Sequence, residues 1–167
     1  MTGRHRQFPP VVDGRTRVLI LGSLPGSASL AAGEYYAHPR NAFWHLLAGI
    51  VGTDLPALPY AERLAALRRA RIGLWDTIAT ARRQGSLDAA IRDPEAADLF
   101  ALLERLPDLR AIGFNGATAA RHGRRSLAGA GRLPELIDLP SSSPAHARMT
   151  LAEKRARWET LARHLGD

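Results

Sequence analysis

The chain has 167 residues, 46% of them apolar, which is the length of one domain with enough apolar material to bury a sizeable core. It contains no cysteine, which excludes a disulfide, a thiolate metal site and a cysteine-held iron–sulfur cluster. The formal net charge is +7, and of 23 lysines and arginines only Lys154 is a lysine. Arginine contacts phosphate through two parallel donors, so this charge fits a polyanionic partner as well as it fits a solvated arginine-rich surface. No apolar run approaches the ~20 residues of a membrane span. The segment Met1–Pro10 has no apolar h-region, so no secretory signal and a cytoplasmic location, the bacterial cytosol, are expected.

In chain order, residues 1–16 are polar and proline-containing and read as an extended lead-in. Arg17–Leu21 reads as a buried strand that stops at Gly22-Ser23-Leu24-Pro25-Gly26. Asn41 is a candidate N-cap for an apolar-periodic helix through Val51, and Pro59–Arg71 is a second helix with Leu64 and Leu67 inward. Ile72–Asp76 is a short strand. Ser86–Ile91 and Pro94–Arg105 read as helices, the second opening on Pro94 and Glu95 as a first turn should. Leu109–Phe114 is a third strand, followed by a helix over Ala117–Leu127 interrupted at Gly123. Leu136–Leu139 is the fourth strand. Thr150 with Glu153 forms a capping box for a last helix carrying Leu151, Trp158, Leu161 and Leu165 on its apolar side. Strands alternating with helices predict a single α/β domain over residues 1–167, with a mainly parallel sheet covered by helices on both faces.

The four strands end in Gly22–Gly26, Asp76-Thr77, Asn115-Gly116 and Pro140-Ser141-Ser142-Ser143-Pro144. In a parallel sheet these carboxyl ends gather on one edge, where open α/β folds place ligands. Any one such loop is adequately explained as a turn; four on one edge favour a site. The phosphate-loop and dinucleotide fingerprints are absent. A Ser141 or Ser143, His146, Asp138 triad lacks its nucleophile elbow. His38 and His146 have no third ligand at metal-binding spacing.

Leu19–Gly26, followed by Tyr35-Tyr36-Ala37-His38-Pro39-Arg40-Asn41-Ala42-Phe43-Trp44, then Leu74–Asp76, Phe114–Gly116 and Leu139–Ala145, resembles the uracil-DNA glycosylase superfamily. Within it, the chain is most similar to the hypoxanthine-DNA (deoxyinosine) glycosylase family. The resemblance implies a three-layer αβα sandwich with a central four-stranded parallel sheet. It also implies hydrolytic excision of a deaminated base, hypoxanthine first, from double-stranded DNA, without cofactor or metal and by a monomer. Asn41 would position the attacking water. Gly22, Ser23, Leu24, Pro25 and Gly26 would bind the base through backbone amides, Phe43 would stack on it, and Asp76 and Asn115 would read or orient it. His38, Arg40, Ser141, Ser142, Ser143 and His146 would contact the DNA.

Leu24 stands where the mismatch-specific uracil branch carries an asparagine, and Leu139 where uracil-specific branches often carry a histidine. Neither can polarise water. The alternatives are a broader uracil/xanthine mismatch glycosylase and an inactive nucleic-acid-binding domain of the same fold. Lys154, expected on a polar helix face remote from the strand ends, predicts a monofunctional enzyme, because a Schiff-base lyase needs a desolvated amine at the sugar.

Overall fold

A computed structural model describes residues 4–166. In chain order its elements are β1 (Arg4–Arg6), β2 (Val18–Gly22), α1 (Ser27–Ala32), α2 (Phe43–Val51), α3 (Tyr60–Arg69), β3 (Ile72–Asp76), β4 (Ile78–Arg82), β5 (Arg92–Ala96), α4 (Leu99–Glu104), β6 (Ala111–Asn115), α5 (Ala117–Leu127), β7 (Glu135–Leu139) and α6 (Leu151–Trp158), with short 3₁₀ turns between some of them. Strands β3, β2, β6 and β7 lie in that order in one parallel sheet. Because successive side chains of a strand point to opposite faces, the continuous apolar run of β2 feeds two cores. Val18 and Ile20 pack with α2, α3 and Trp158 on one face; Leu19 and Leu21 pack with α4 and α5 on the other. This is the expected three-layer αβα sandwich.

The second sheet was not expected. Strands β1, β4 and β5 form a small antiparallel sheet in the order β1-β4-β5. Only Thr77 separates β3 from β4, so the chain leaves the large sheet and enters the small one in a single extended pass. Thr77 and Ile78 N–H donate to the Gly22 and Ser23 carbonyls at 2.8 and 3.1 Å, stitching β4 to the loop after β2. The lead-in is therefore not a loose extension: Arg4–Arg6 pairs with β4, and Val11 bridges Leu74 on the outer edge of β3. Met1–Gly3 lie outside the described residues.

Several other expectations are corrected. Residues 86–91 hold only a 3₁₀ turn at Asp88–Ala90, and Pro94 lies in the exposed strand β5. A proline can sit there because an edge strand does not need every N–H. Helix α5 runs unbroken through Gly123, whose missing side chain makes room for Phe114: a Cβ there would stand 2.3 Å from the ring. Leu151 is exposed, while Trp158 and Leu161 are buried. The Thr150–Glu153 capping box is present. Among the described residues, no helix is long and apolar enough to cross a membrane.

Candidate active site

The strand ends converge on a cavity of about 470 Å³, lined by Gly22–Gly26, Tyr35, Tyr36, His38, Arg40, Asn41, Asp76, Asn115 and Ser141–Ala145, and also by Ser86, Leu87 and Asp88 of the segment after β4. The size suits a small ligand or an extrahelical base. Gly22 ends β2 as glycine for a spatial reason: a Cβ would lie 2.7 Å from both Asp76 Oδ1 and the Tyr36 hydroxyl. Its absence lets a carboxyl and a phenol meet at the cavity floor.

Asn41 lies just before α2. The N-cap position is Ala42, one residue later than expected, yet the Asn41 Oδ1 does accept the Phe43 N–H at 3.0 Å. That bond fixes which end of the amide is oxygen. It leaves the second Oδ1 lone pair and the amide NH₂ without a hydrogen-bond partner among the described residues, on a side chain that lines the cavity. The helix-start and chemical readings of Asn41 are therefore compatible.

Phe43 is not placed to stack on a ligand. It is fully buried, edge-on to Trp44 and Trp158 at centroid distances of 5.0 and 5.8 Å, as the first residue of a helix that presses this face into the core. Tyr36, not Phe43, reaches the cavity. Its ring stacks on Phe43 at 3.8 Å with an interplanar angle of 18° and lines the cavity. Tyr36 adopts φ 54°, a left-handed conformation that costs a non-glycine residue ~1 kcal/mol or more. The neighbouring Tyr35 holds it there: the Tyr35 hydroxyl donates to Pro9 O at 3.0 Å, its N–H to the Tyr60 hydroxyl at 2.9 Å, and its carbonyl accepts from Trp44 Nε1 at 3.2 Å. Two adjacent tyrosines before the His-Pro pair, one buried and one in a strained turn, are the sequence signal that goes with this site.

Asp76 is buried, and its Oδ2 has no hydrogen-bond partner. Burial, with Asp88 adding to it and Arg83 opposing, pushes its carboxyl up to about 7. Burial likewise pushes the Tyr36 phenol far above its ordinary range, so it stays neutral. Asn115 has both ends engaged with one residue: it accepts the Ser142 N–H and donates to Ser142 Oγ, each at 2.9 Å. Its clearest role in the fold is to pin the Ser141–Ser143 loop, which also accepts the Ala42 N–H through Ser142 O at 3.0 Å. His38 Nδ1 accepts the Arg40 N–H at 3.1 Å, and both residues stand on the cavity rim. His146 does not line the cavity; its N–H donates to Ser143 O at 3.0 Å.

Leu24 spends its side chain on the small sheet, packed with Ile78 and Ala81, so this loop offers the cavity backbone groups and no acid–base side chain. Lys154 is not on a polar face. It is buried, with Nζ 3.5 Å from Ser143 O, and desolvation lowers its pKa. It supports the serine loop and does not line the cavity. Among the described residues no cluster of three or more potential metal ligands exists.

The family model of the uracil DNA glycosylase superfamily matches residues 9–162. The chain belongs to that superfamily. It is 41% identical over 159 residues to a Methanosarcina acetivorans protein named hypoxanthine DNA glycosylase, covering 95% of this chain and 98% of that one. It is 43% identical over 119 residues to a Methanosarcina barkeri protein of the same name, covering 71% and 75%. A solution NMR structure solved as a candidate uracil DNA glycosylase from Methanosarcina acetivorans matches with a TM-score of 0.85 at 40% identity, over 98% of this chain and 99% of that chain. The superfamily thus has a member whose motif loops carry leucine at residues 24 and 139, and whose cavity is floored by a protonatable carboxyl.

Proposed function

We propose that this chain is a monofunctional DNA glycosylase that flips a deaminated base out of duplex DNA and hydrolyses its glycosidic bond, with hypoxanthine the preferred base. The observation that carries the reading is 41% identity, over 95% of this chain, to a relative named for that activity; the cavity supplies groups that suit the chemistry. A base in a duplex must leave the stack before its sugar can be attacked, at a cost of a few kcal/mol. Tyr36, backed by Phe43, offers the flipped base a π-face, which is worth ~1–3 kcal/mol in single-base stacking.

Asp76 supplies recognition. A carboxyl raised to about 7 is protonated in a large share of molecules up to neutral pH and then presents a donor and an acceptor side by side. That pair complements the adjacent N–H and C=O shared by hypoxanthine, xanthine and uracil, the edge that deamination creates. As the bond from C1′ to the base nitrogen breaks, its electron pair moves onto the base, and backbone N–H groups of the Gly22–Gly26 loop meet the developing charge. Water held by the Asn41 amide attacks the cationic sugar, its released proton neutralises the departing base, and an abasic site remains. Arg40, His38 and the Ser141–Ser143 loop face the backbone phosphates. The enzyme works as a single catalytic domain, as a monomer in the cytosol.

Duplexes carrying a single deoxyinosine, deoxyxanthosine or deoxyuridine, incubated with the protein and then treated with alkali, test the reading. Strand breakage at deoxyinosine above the other two is expected. Salt-sensitive binding without breakage at any of the three would leave a binding domain instead. A borohydride-trapped adduct at Lys154 would remove the monofunctional assignment.

A further inference from the structure

The small sheet carries a buried cation that the chemistry above does not use. Arg83 directly follows β4, and its side chain is 1% exposed. Its Nη2 donates to the carbonyl of Pro25 and, at 3.5 Å, to that of Leu24. Its Nη1 lies 3.6 Å from Asp88 Oδ1, which also accepts the Ser23 hydroxyl at 2.7 Å. A guanidinium is the side chain that can span two carbonyls and a carboxylate at once, because its donors are fixed in a fork.

The consequence follows from peptide geometry. In a trans peptide the C=O and the next residue's N–H point in opposite directions. The Ser23 carbonyl is drawn toward Ile78 at 3.1 Å, so the Leu24 N–H turns away from the small sheet. The Pro25 carbonyl is drawn toward Arg83, so the Gly26 N–H turns away too. Between them, Pro25 has no N–H to compete. Neither the Leu24 nor the Gly26 N–H has a protein acceptor among the described residues, and both residues line the cavity. The next donor, the Ser27 N–H, is already taken by Ser86 Oγ at 2.9 Å.

We propose that Arg83 is a positioning residue for base excision: anchored by Asp88, it holds the Pro25 carbonyl from behind the loop, so that the Gly26 N–H joins the Leu24 N–H, itself set by the Ser23–Ile78 bond, on the departing base as a charge-stabilising pair. This rests on the glycosylase reading and adds to it a residue that touches neither base nor sugar. Preorganised donors of this kind act in the transition state more than in the ground state, so loss of Arg83 falls on the rate of bond cleavage and spares the binding of DNA.

The test is single-turnover excision from a deoxyinosine duplex by the full chain and by Arg83→Lys and Arg83→Gln, with duplex affinity and thermal melting measured alongside. Arg82→Ala, at an exposed neighbour that among the described residues pairs with Asp93 at 3.9 Å, is the control. A folded Arg83→Lys is expected to lose about 100-fold in rate while duplex affinity, set by phosphate contacts, stays within about two-fold. A folded Arg83→Lys or Arg83→Gln that excises at the wild-type rate overturns the proposal. If both variants unfold, the wild type decides through its amide resonances. Free hypoxanthine added to the complex with an abasic duplex should shift the Leu24 and Gly26 N–H signals, and unmoved signals overturn the proposal. A wild type that releases none of the three deaminated bases sinks the glycosylase reading itself, and this assignment with it.

Discussion

The strand-end wall of the cavity and the small-sheet wall are built from different materials. On the strand-end wall, Asn41, Asp76 and Tyr36 each present a polar or aromatic surface that the fold leaves partly uncommitted: an amide edge, an unpartnered Oδ2, a ring face. On the opposite wall, Arg83, Asp88, Ser23 and Ser86 are bonded to one another or to the backbone of the Gly22–Gly26 loop. One wall keeps functional groups available; the other commits nearly all its polar groups to holding a loop still, with Arg83 Nε left unpartnered. Substrate chemistry needs both, since a donor displaced by ~1 Å loses most of its effect. Substitutions on the first wall should therefore change what reaction occurs, and those on the second how well the site is presented.

The hardest test of that contrast is Asn41. Asn41→Ala should lower single-turnover excision about 1,000-fold with little change in duplex affinity. Asn41→Asp separates the two functions of the side chain, because a carboxylate still accepts the Phe43 N–H. It should keep that contact, ~1 kcal/mol that Asn41→Ala loses, and it lacks only the amide NH₂, so the part of the excision rate it loses is the part those donors supply. Thermal melts read the first effect and quenched excision assays the second. An Asn41→Ala protein with an unchanged rate would move the chemistry off this wall.

Tyr36 comes next. Replacing it with leucine should weaken capture of the flipped base about 10- to 100-fold, the value of one stacking contact, whereas Tyr36→Phe should keep most of it. Phe43→Leu should act through stability, because Phe43 is the core partner behind the stack and meets no ligand; denaturation midpoints separate the two outcomes.

How far the sequence reached divides along the same line. The sandwich was legible because Val18-Leu19-Ile20-Leu21 and Ala111-Ile112-Gly113-Phe114 are continuous apolar runs ending in turn residues, the signature of strands buried on both faces. The site's location followed from where such strands end. The small sheet was illegible for local reasons. Ile78-Ala79-Thr80-Ala81-Arg82 is alanine-rich, with weak strand propensity. Arg92-Asp93-Pro94-Glu95-Ala96 carries the proline and acid of a helix start, and pairing with β4 overrode that preference. Arg83 was invisible as a functional residue because nothing in the sequence distinguishes one arginine of an arginine-rich chain from another. The burial of Phe43 was illegible because motif spacing places residues along the chain without saying which ring faces the core.

Asp76 tests whether recognition belongs to the first wall. Its carboxyl is raised from 3.8 to about 7, so the folded state favours the protonated form. The associated stability is fully present below about pH 4 and is lost as pH rises towards 7; Asp76→Asn should therefore melt higher than the wild type at pH 8, and the gap should close at pH 4. Excision should follow the same proton, falling about ten-fold per pH unit above 7 in the wild type and running flat in Asp76→Asn. Asp88, Arg83 and the Tyr36 phenol face this carboxyl. A wild-type profile flat to pH 9 would mean that the ionised form reads the base.

The smallest effect expected is at Leu87, on the second wall. It is 59% exposed at the cavity mouth, in the turn that carries Ser86 and Asp88. An apolar side chain left in water beside a base-sized cavity fits the role of a wedge, filling the space a flipped base vacates, as inserted side chains do in other DNA distortions. In that role Leu87 acts on delivery and has no part in bond cleavage. Leu87→Ala should then slow excision from a deoxyinosine duplex by only about two- to five-fold, since the penalty is part of the unstacking cost, and should leave excision from single-stranded DNA unchanged because no stack has to be opened. Equal slowing on both substrates would show Leu87 shaping the cavity for the base itself, and would make the second wall a partner in recognition as well as a brace.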